Sequence, residues 1–284
     1  MASILTNAGS MAALETLRSI SRDMSTTQDR ISSGLKVGSA SDNAAYWSIS
    51  TTMKAESSSL NVVGEALGMG SSIADVSSTA VESLVDLVSQ VRDRIVAAGE
   101  STNDKTKIMT ELKQLYKQMD ETVKAASFND VNWLEGTNGT AAITTAEILA
   151  GVNGSTLNFI NVDLGTTATN VKAIVETITL ALGDDADIDS TSNVATSLGV
   201  VDTAIKNLTE KGAVFGAAST RIDIQKDFIS SLTDAMDRGI GSLIDADMNE
   251  ESTRLKALQT QQQLGVQALS IANSNTDLIL QLFR

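Results

Sequence analysis

The chain has 284 residues, a net charge of −14, and no proline, cysteine or histidine. Average usage would supply roughly fourteen prolines; because proline breaks helix interiors, its absence permits very long uninterrupted helices. Without Cys or His there is no disulfide framework, no thiolate nucleophile and neither the commonest general base nor the commonest metal ligand, so most enzyme classes are excluded and no cofactor is expected. The acidic balance argues against nucleic acid and against anionic membrane surfaces, and with aromatics at 3% the core must be aliphatic.

The first twenty residues, MASILTNAGSMAALETLRSI, carry no positive charge before Arg18 and no apolar run of signal-peptide length, so no conventional secretory signal is read. Taken alone this points to the cytosol. A first helix is predicted from about Ser3 to Ser33, because Leu14, Leu17, Ser21, Met24, Gln28, Ile31 and Leu35 alternate spacings of three and four, the period of one helix packing along another. Gly34 and Gly38 interrupt it, and SASDNAA restarts a helix with Ser, Asp and Asn available as caps. The second helix spans about Asn43 to Ala98 and stops at Gly99. A third, about Asn103 to Ala126, places Ile108, Leu112, Leu115, Met119, Val123 and Ala126 on one face. FNDVNWLEGTNGT then reads as irregular chain.

From Asn138 to about Ser192 the texture changes to Thr, Asn, Gly and Ala. VNGS at Val152 to Ser155 supplies an Asn-Gly turn before the alternating TLNFINVDL, which predicts one β-hairpin. A short helix follows near Asn170–Leu182, with Val171, Ile174, Val175 and Ile178 on its apolar face. Helical spacing resumes near Asn193 through Val201, Ile205, Leu208, Phe215, Ile222, Ile229, Met236, Ile240 and Leu243. GIGSLIDADMNEES separates that helix from a last one, from about Glu250 to the end. The fold class is therefore mainly α, a long antiparallel bundle in which the N- and C-terminal arms pair around a small hairpin-containing middle.

The last helix has no charge between Lys256 and Asp277, yet Gln259, Gln261, Gln262, Gln263 and Gln267 make it too polar for lipid. On a helical net it carries two apolar seams. One is Leu258, Gln262, Gly265, Leu269, Ala272, Thr276, Ile279 and Phe283; the other is Leu264, Ala268, Ile271, Asn275, Leu278 and Leu282. Two adjacent seams need two or more neighbours, and the N-terminal helix supplies one. An internal bundle helix is the plain alternative. Against it, arms of about 33 and 35 residues match in extent, spanning roughly 50 Å each. Other copies of the chain are the simplest cover, and a head-to-tail contact that does not close gives a helical filament.

Other patterns are weaker. GDDADID (Gly183–Asp189) and DADMNEE (Asp245–Glu251) fail as Ca²⁺ loops, because the positions needing Gly and Glu hold Ser190 and Thr196, or Glu250 and Lys256. The first reads as a solvated loop, the second as helix capping by Asp247 or Asn249. Asn138, Asn153 and Asn207 fit a short glycosylation pattern. Arg92, Arg94, Arg221 and Arg238 against Asp86, Asp223, Asp227 and Asp234 are either subunit-to-subunit pairs or ordinary exposed charges.

RISSGLKVGSASDNAAYWSI (Arg30–Ile49), ASFNDVNWL (Ala126–Leu134), DADMNEES (Asp245–Ser252) and LGVQALSIANSNTDLILQLFR (Leu264–Arg284) resemble bacterial flagellin. SDNAAYWSI and LKALQTQQQLG are similar to the alphaproteobacterial, rhizobial type. The resemblance covers about residues 1–135 and 195–284. It implies a secreted structural subunit, exported without a cleaved signal and polymerised into the extracellular flagellar filament, which reverses the cytosolic reading. It implies an inner, D0-like layer from residues 1–42 and 247–284 and a D1-like helical domain over 43–246, with 138–192 in place of larger outer domains. It implies a homopolymer as the main partner, with an export chaperone, cap and hook-junction proteins besides. The polymerisation interface is then expected at Leu14, Leu17, Met24, Ile31, Leu35, Leu258, Leu264, Leu269, Ile271, Leu278, Ile279, Leu282 and Phe283. Many flagellins carry an R-V-R-E-L type stretch read by an innate Toll-like receptor; here it is Gln90-Val91-Arg92-Asp93-Arg94, so recognition is expected to be weak. A hook–filament junction protein shares the terminal-helix logic and is the alternative, ahead of a type III-secreted translocator or adhesin.

Overall fold

A computed structural model describes residues 7–100, 103–154, 156–166, 169–182 and 191–282, with the side chains of the last helix described as far as Ser274. The elements in chain order are α1 (Ala8–Ser33), α2 (Ala44–Ala98), α3 (Lys105–Ala125), β1 (Val131–Asn132), β2 (Thr137–Asn138), β3 (Ala141–Ala142), β4 (Thr145–Asn153), β5 (Thr156–Asp163), α4 (Val171–Leu182), α5 (Thr191–Ile244) and α6 (Met248–Leu282). Contacts divide the chain into two units, Met1–Ser57 with Asp234–Arg284 and Ser58–Thr233. α2 and α5 contribute to both.

In the first unit the ends of α1 and α6 are set by local chemistry. Asn7 caps α1 by accepting the Ser10 N–H at 3.1 Å, and Gly34 ends it in the left-handed region with φ 73° while its N–H donates to Arg30 O. Asp247 caps α6, its carboxylate accepting the N–H of Asn249 at 2.8 Å and of Glu250 at 3.3 Å. Glu250 and Glu251 fill the first turn, where the helix dipole favours negative charge. The two breaks face each other: Lys36 N–H donates to Ile244 O at 2.6 Å and Ala246 N–H to Gly34 O at 2.9 Å. Val37, Ile240 and Ile244 are buried there, with Leu35, Met53 and Leu243 packed against them.

In the second unit α2 and α5 run antiparallel. The Ser219 hydroxyl donates to Asp75 and the Arg92 guanidinium pairs with Asp202, so residue numbers rise on one helix as they fall on the other. The core is aliphatic, built from Leu67, Leu84, Val88 and Ile95 of α2, Leu112 and Met119 of α3, and Leu208 and Ile222 of α5. Trp133 against Phe215, ring centroids 6.0 Å apart, is the large aromatic contribution.

The segment predicted as irregular is ordered. After α3 the chain turns through Asn129 and Asp130 at positive φ (52° and 62°) and enters a three-stranded sheet ordered β1-β2-β3. Buried Asn132 holds it, donating to Val123 O at 2.7 Å and accepting the N–H of Leu134 and Glu135. Asn170 does the same at the start of α4, donating to Glu135 O and accepting Ala173 N–H, both at 2.8 Å.

The predicted hairpin is β4–β5, with Asn153 opposite Thr156 and a register irregularity between Leu149 and Gly151. Ala146, Ile148, Ala150, Ile160 and Val162 form its buried face. Gly70 of α2 is what lets it dock, since a Cβ there would lie 2.7 Å from Ile148 Cγ2.

Candidate polymerisation interface

α1 and α6 pack antiparallel in the first unit, from Arg30 beside Glu251 to Asn7 beside Ala272. Three contacts fix the register. Asn7 Nδ2 donates to Ala272 O at 3.0 Å, Leu17 lies over Gly265, and Arg30 Nη1 pairs with Glu251 Oε1 at 3.0 Å.

The face that α6 turns to α1 follows the first of the two predicted seams. Glu251 and Leu258 are buried, while Leu255, Gln262, Gly265, Leu269 and Ala272 are half-buried. The described residues of the second seam, Leu264, Ala268 and Ile271, face solvent. Leu264 is 58% exposed and Ile271 62%, with Val266 and Ala268 also exposed. Burying one Leu or Ile side chain contributes ~1.5–3 kcal/mol, so this single chain leaves a sizeable apolar gain unrealised.

On α1 the buried stripe differs in phase from the prediction. Leu17, Met24 and Ile31 are half-buried as part of it, but its most buried members are Ile20 and Thr27, and Leu35, also half-buried, lies beyond the end of the helix. Ser21 and Gln28 are exposed, and Leu14, 40% exposed, lies at its edge. A heptad-like stripe can take either of two neighbouring residues at each return; apolar Ile20 was the available signal, and Thr27 gave none. Leu35 packs within its own chain, against Val37, Ile240 and Ile244. Leu278, Ile279 and Leu282 belong to α6, but their side chains, and Phe283 altogether, lie outside the described residues.

The stretch Gln90–Arg94 is on α2, with Val91 buried and Gln90, Arg92, Asp93 and Arg94 exposed. Both arginines are held by their own chain: Arg92 Nε is 2.8 Å from Asp202 Oδ1 and Arg94 Nε 3.1 Å from Glu111 Oε2. Those partners come from other helices, so spacing along α2 could not reveal them. Such half-exposed pairs contribute roughly 0–1 kcal/mol.

Among the described residues three groups are shifted from their ordinary range, one being Lys124, whose ammonium is held up by its hydrogen bond to the Asp120 carboxylate. The Ser39 N–H and hydroxyl, with the Gly38 N–H, hold the Asp42 carboxyl below the usual carboxylate range. Burial pushes the Tyr116 phenol up. Among the described residues no acidic cluster is placed to hold a metal ion, and no helix is long and apolar enough to cross a membrane.

The chain matches the bacterial flagellin N-terminal helical region over residues 4–139 and the bacterial flagellin C-terminal helical region over residues 198–283. It is 40% identical to flagellin C of Rhizobium meliloti (strain 1021) and 42% identical to a flagellin of Brucella melitensis biotype 1, with 100% of both chains covered in each comparison. Among solved structures, one assigned to a flagellar hook-associated protein of Vibrio parahaemolyticus aligns with a TM-score of 0.54 at 14% identity, over 72% of this chain and 100% of that one. That likeness concerns the fold alone. Bacillus cereus flagellin aligns over 57% of this chain and 86% of its own, with a TM-score of 0.42 and 20% identity.

Proposed function

The chain belongs to the bacterial flagellin family, and from that premise we infer that α1 and α6 form a half-finished interface which neighbouring subunits complete. It is a structural subunit of the flagellar filament, exported and assembled outside the cell. Its role is structural, not enzymatic. One observation carries the interface reading: from Leu258 to Ala272 the first seam of α6 is covered by α1, while Leu264 and Ile271 of the second are open to solvent.

On this reading residues 1–42 and 247–284 are the inner layer of the polymer and residues 43–246 the helical layer around it, with 138–192 standing where longer relatives insert outer domains. Helix formation in the arms is coupled to assembly, because only neighbours cover the second seam. The export chaperone, cap and hook-junction proteins each meet the subunit while that seam is uncovered. Toll-like receptor recognition is weak, because Gln90 and Arg94 replace the Arg and Leu of the usual stretch and Arg92 and Arg94 are paired internally.

The test is seeded elongation of filament fragments by a Leu264→Gln/Ile271→Gln double variant. Both residues are exposed, so the second unit should keep the parent's unfolding midpoint while elongation is lost. Elongation at the parent's rate would remove this seam from the interface.

A further inference from the structure

Two Asn-Gly pairs occur in the chain, Asn138-Gly139 and Asn153-Gly154. Glycine places no side chain beside its backbone nitrogen, so in either pair that nitrogen has open access to the preceding side-chain amide. The fold treats them differently. Asn138, like Asn153, is exposed and ends its strand at a turn, but its strand β2 is the middle one of its sheet, paired with Val131 on one side and Ala141 on the other. The Gly139 N–H is engaged, donating to Asp130 O at 2.8 Å.

Asn153 ends β4 at the hairpin turn and is exposed. The Gly154 N–H donates to no group among the described residues. The Thr156 hydroxyl donates to the Asn153 carbonyl oxygen at 2.8 Å. That oxygen belongs to the peptide unit whose nitrogen is Gly154 N. When the N–H loses its proton, the negative charge settles largely on the oxygen Thr156 already contacts. A hydrogen bond to the charged form favours that form. At Gly139 the donated N–H favours the opposite, protonated form.

We propose that Asn153 is a site of spontaneous deamidation, with the Thr156 hydroxyl as its accelerator, and that Asn138 is protected by its strand. Deprotonated Gly154 N attacks Asn153 Cγ, the new C–N bond forms, the Cγ–NH₂ bond breaks, and the amide nitrogen leaves as ammonia after taking up protons from water. Water then opens the cyclic imide at either carbonyl, giving aspartate or isoaspartate; the sum is one water consumed and one ammonia released. Each product puts a new negative charge at the hairpin tip. The isoaspartate also adds a methylene to the backbone, which disturbs the Asn153–Thr156 pairing.

The full chain would be aged in mildly alkaline buffer and followed by peptide mapping with mass spectrometry and isoaspartate detection. Asn153 should convert roughly tenfold faster than Asn138 or more, the rate equivalent of one pKa unit. In denaturant the two should converge. Thr156→Val should slow Asn153 and leave Asn138 unchanged, whereas Thr156→Ser, which keeps the hydroxyl, should retain the parent's rate; circular dichroism confirms that each variant is folded. Equal rates at the two sites in the folded chain would overturn the proposal. So would a Thr156→Val variant that converts like the parent.

Discussion

Leu17 of α1 sits directly over Gly265 of α6, so close that a Cβ on that glycine would meet Leu17 Cδ2 at 2.9 Å and Cγ at 3.2 Å. A mid-helix glycine costs about 1 kcal/mol relative to alanine, and the close approach of α1 offsets that cost. Gly265→Val should force Leu17 off its packing at a cost of about 1–3 kcal/mol, raising the subunit concentration needed for elongation. Gly265→Ala is a weaker test, because its gain in helix propensity opposes the crowding. Parental assembly by Gly265→Val would mean the helices separate at this point in the filament.

Arg30 and Glu251 tie the end of α1 to the start of α6. The Glu251 side chain is 8% exposed and that of Arg30 28%, and Glu251 Oε2 has no partner among the described residues, the one bond being to its other oxygen. Arg30→Ala strands a buried carboxylate. The cost should be about 2–3 kcal/mol, below the ~3–5 kcal/mol of a fully buried pair because Arg30 keeps some solvent. Adding Glu251→Gln should recover part of it by removing the charge. Thermal unfolding of the three variants beside the parent tests this, and no recovery in the double variant would mean the charge is not what makes Arg30→Ala costly.

The helices were legible because their signals are local and repeated. The hairpin showed through Asn153-Gly154, and α4 through its four apolar residues. The β1–β3 sheet was not, because each strand has two residues and is held by what Asn132 and Asn170 bond to; an asparagine in a polar stretch does not announce its acceptor. The interface was legible as a pair of seams on α6, since both seams are intrinsic to one helix. Which residues of α1 fill the gap depends on how the two helices rotate against each other. Ile20 and Thr27 replace Ser21 and Gln28 for that reason.

Tyr116 makes an internal test of burial. It is almost fully buried in α3 and its hydroxyl has no hydrogen-bond partner among the described residues. An unsatisfied buried group costs ~1–3 kcal/mol, so Tyr116→Phe should stabilise the second unit by about 1 kcal/mol and raise its urea midpoint. The phenol pKa is raised by burial, so the folded state holds its proton longer than the unfolded one. Its contribution is therefore complete below about pH 10 and lost as pH rises beyond it. Tyr116→Phe should flatten that alkaline decline. A lower midpoint in the variant would show that the hydroxyl has a partner in solution.

Asp42 gives the opposite pH dependence at an exposed site. Its Oδ2 accepts the Ser39 N–H at 2.9 Å, the Ser39 hydroxyl at 3.0 Å and the Gly38 N–H at 3.1 Å, closing the loop between Val37 and the Asn43 cap of α2. The Ser39 N–H is the largest cause of its lowered pKa, followed by the Ser39 hydroxyl. All three donors favour the ionised form. A depressed folded pKa means the loop's contribution is present above about pH 4 and lost as pH falls through the folded value. The Ser39 amide proton shift should therefore titrate with a midpoint below the ordinary aspartate value. Asp42→Asn, which keeps an acceptor but no charge, should abolish the titration while leaving α2 capped by Asn43. A midpoint at or above the ordinary value would mean the loop opens in solution, leaving the passage from α1 into α2 to the bonds of Lys36 and Val37 with Ile244 and of Gly34 with Ala246.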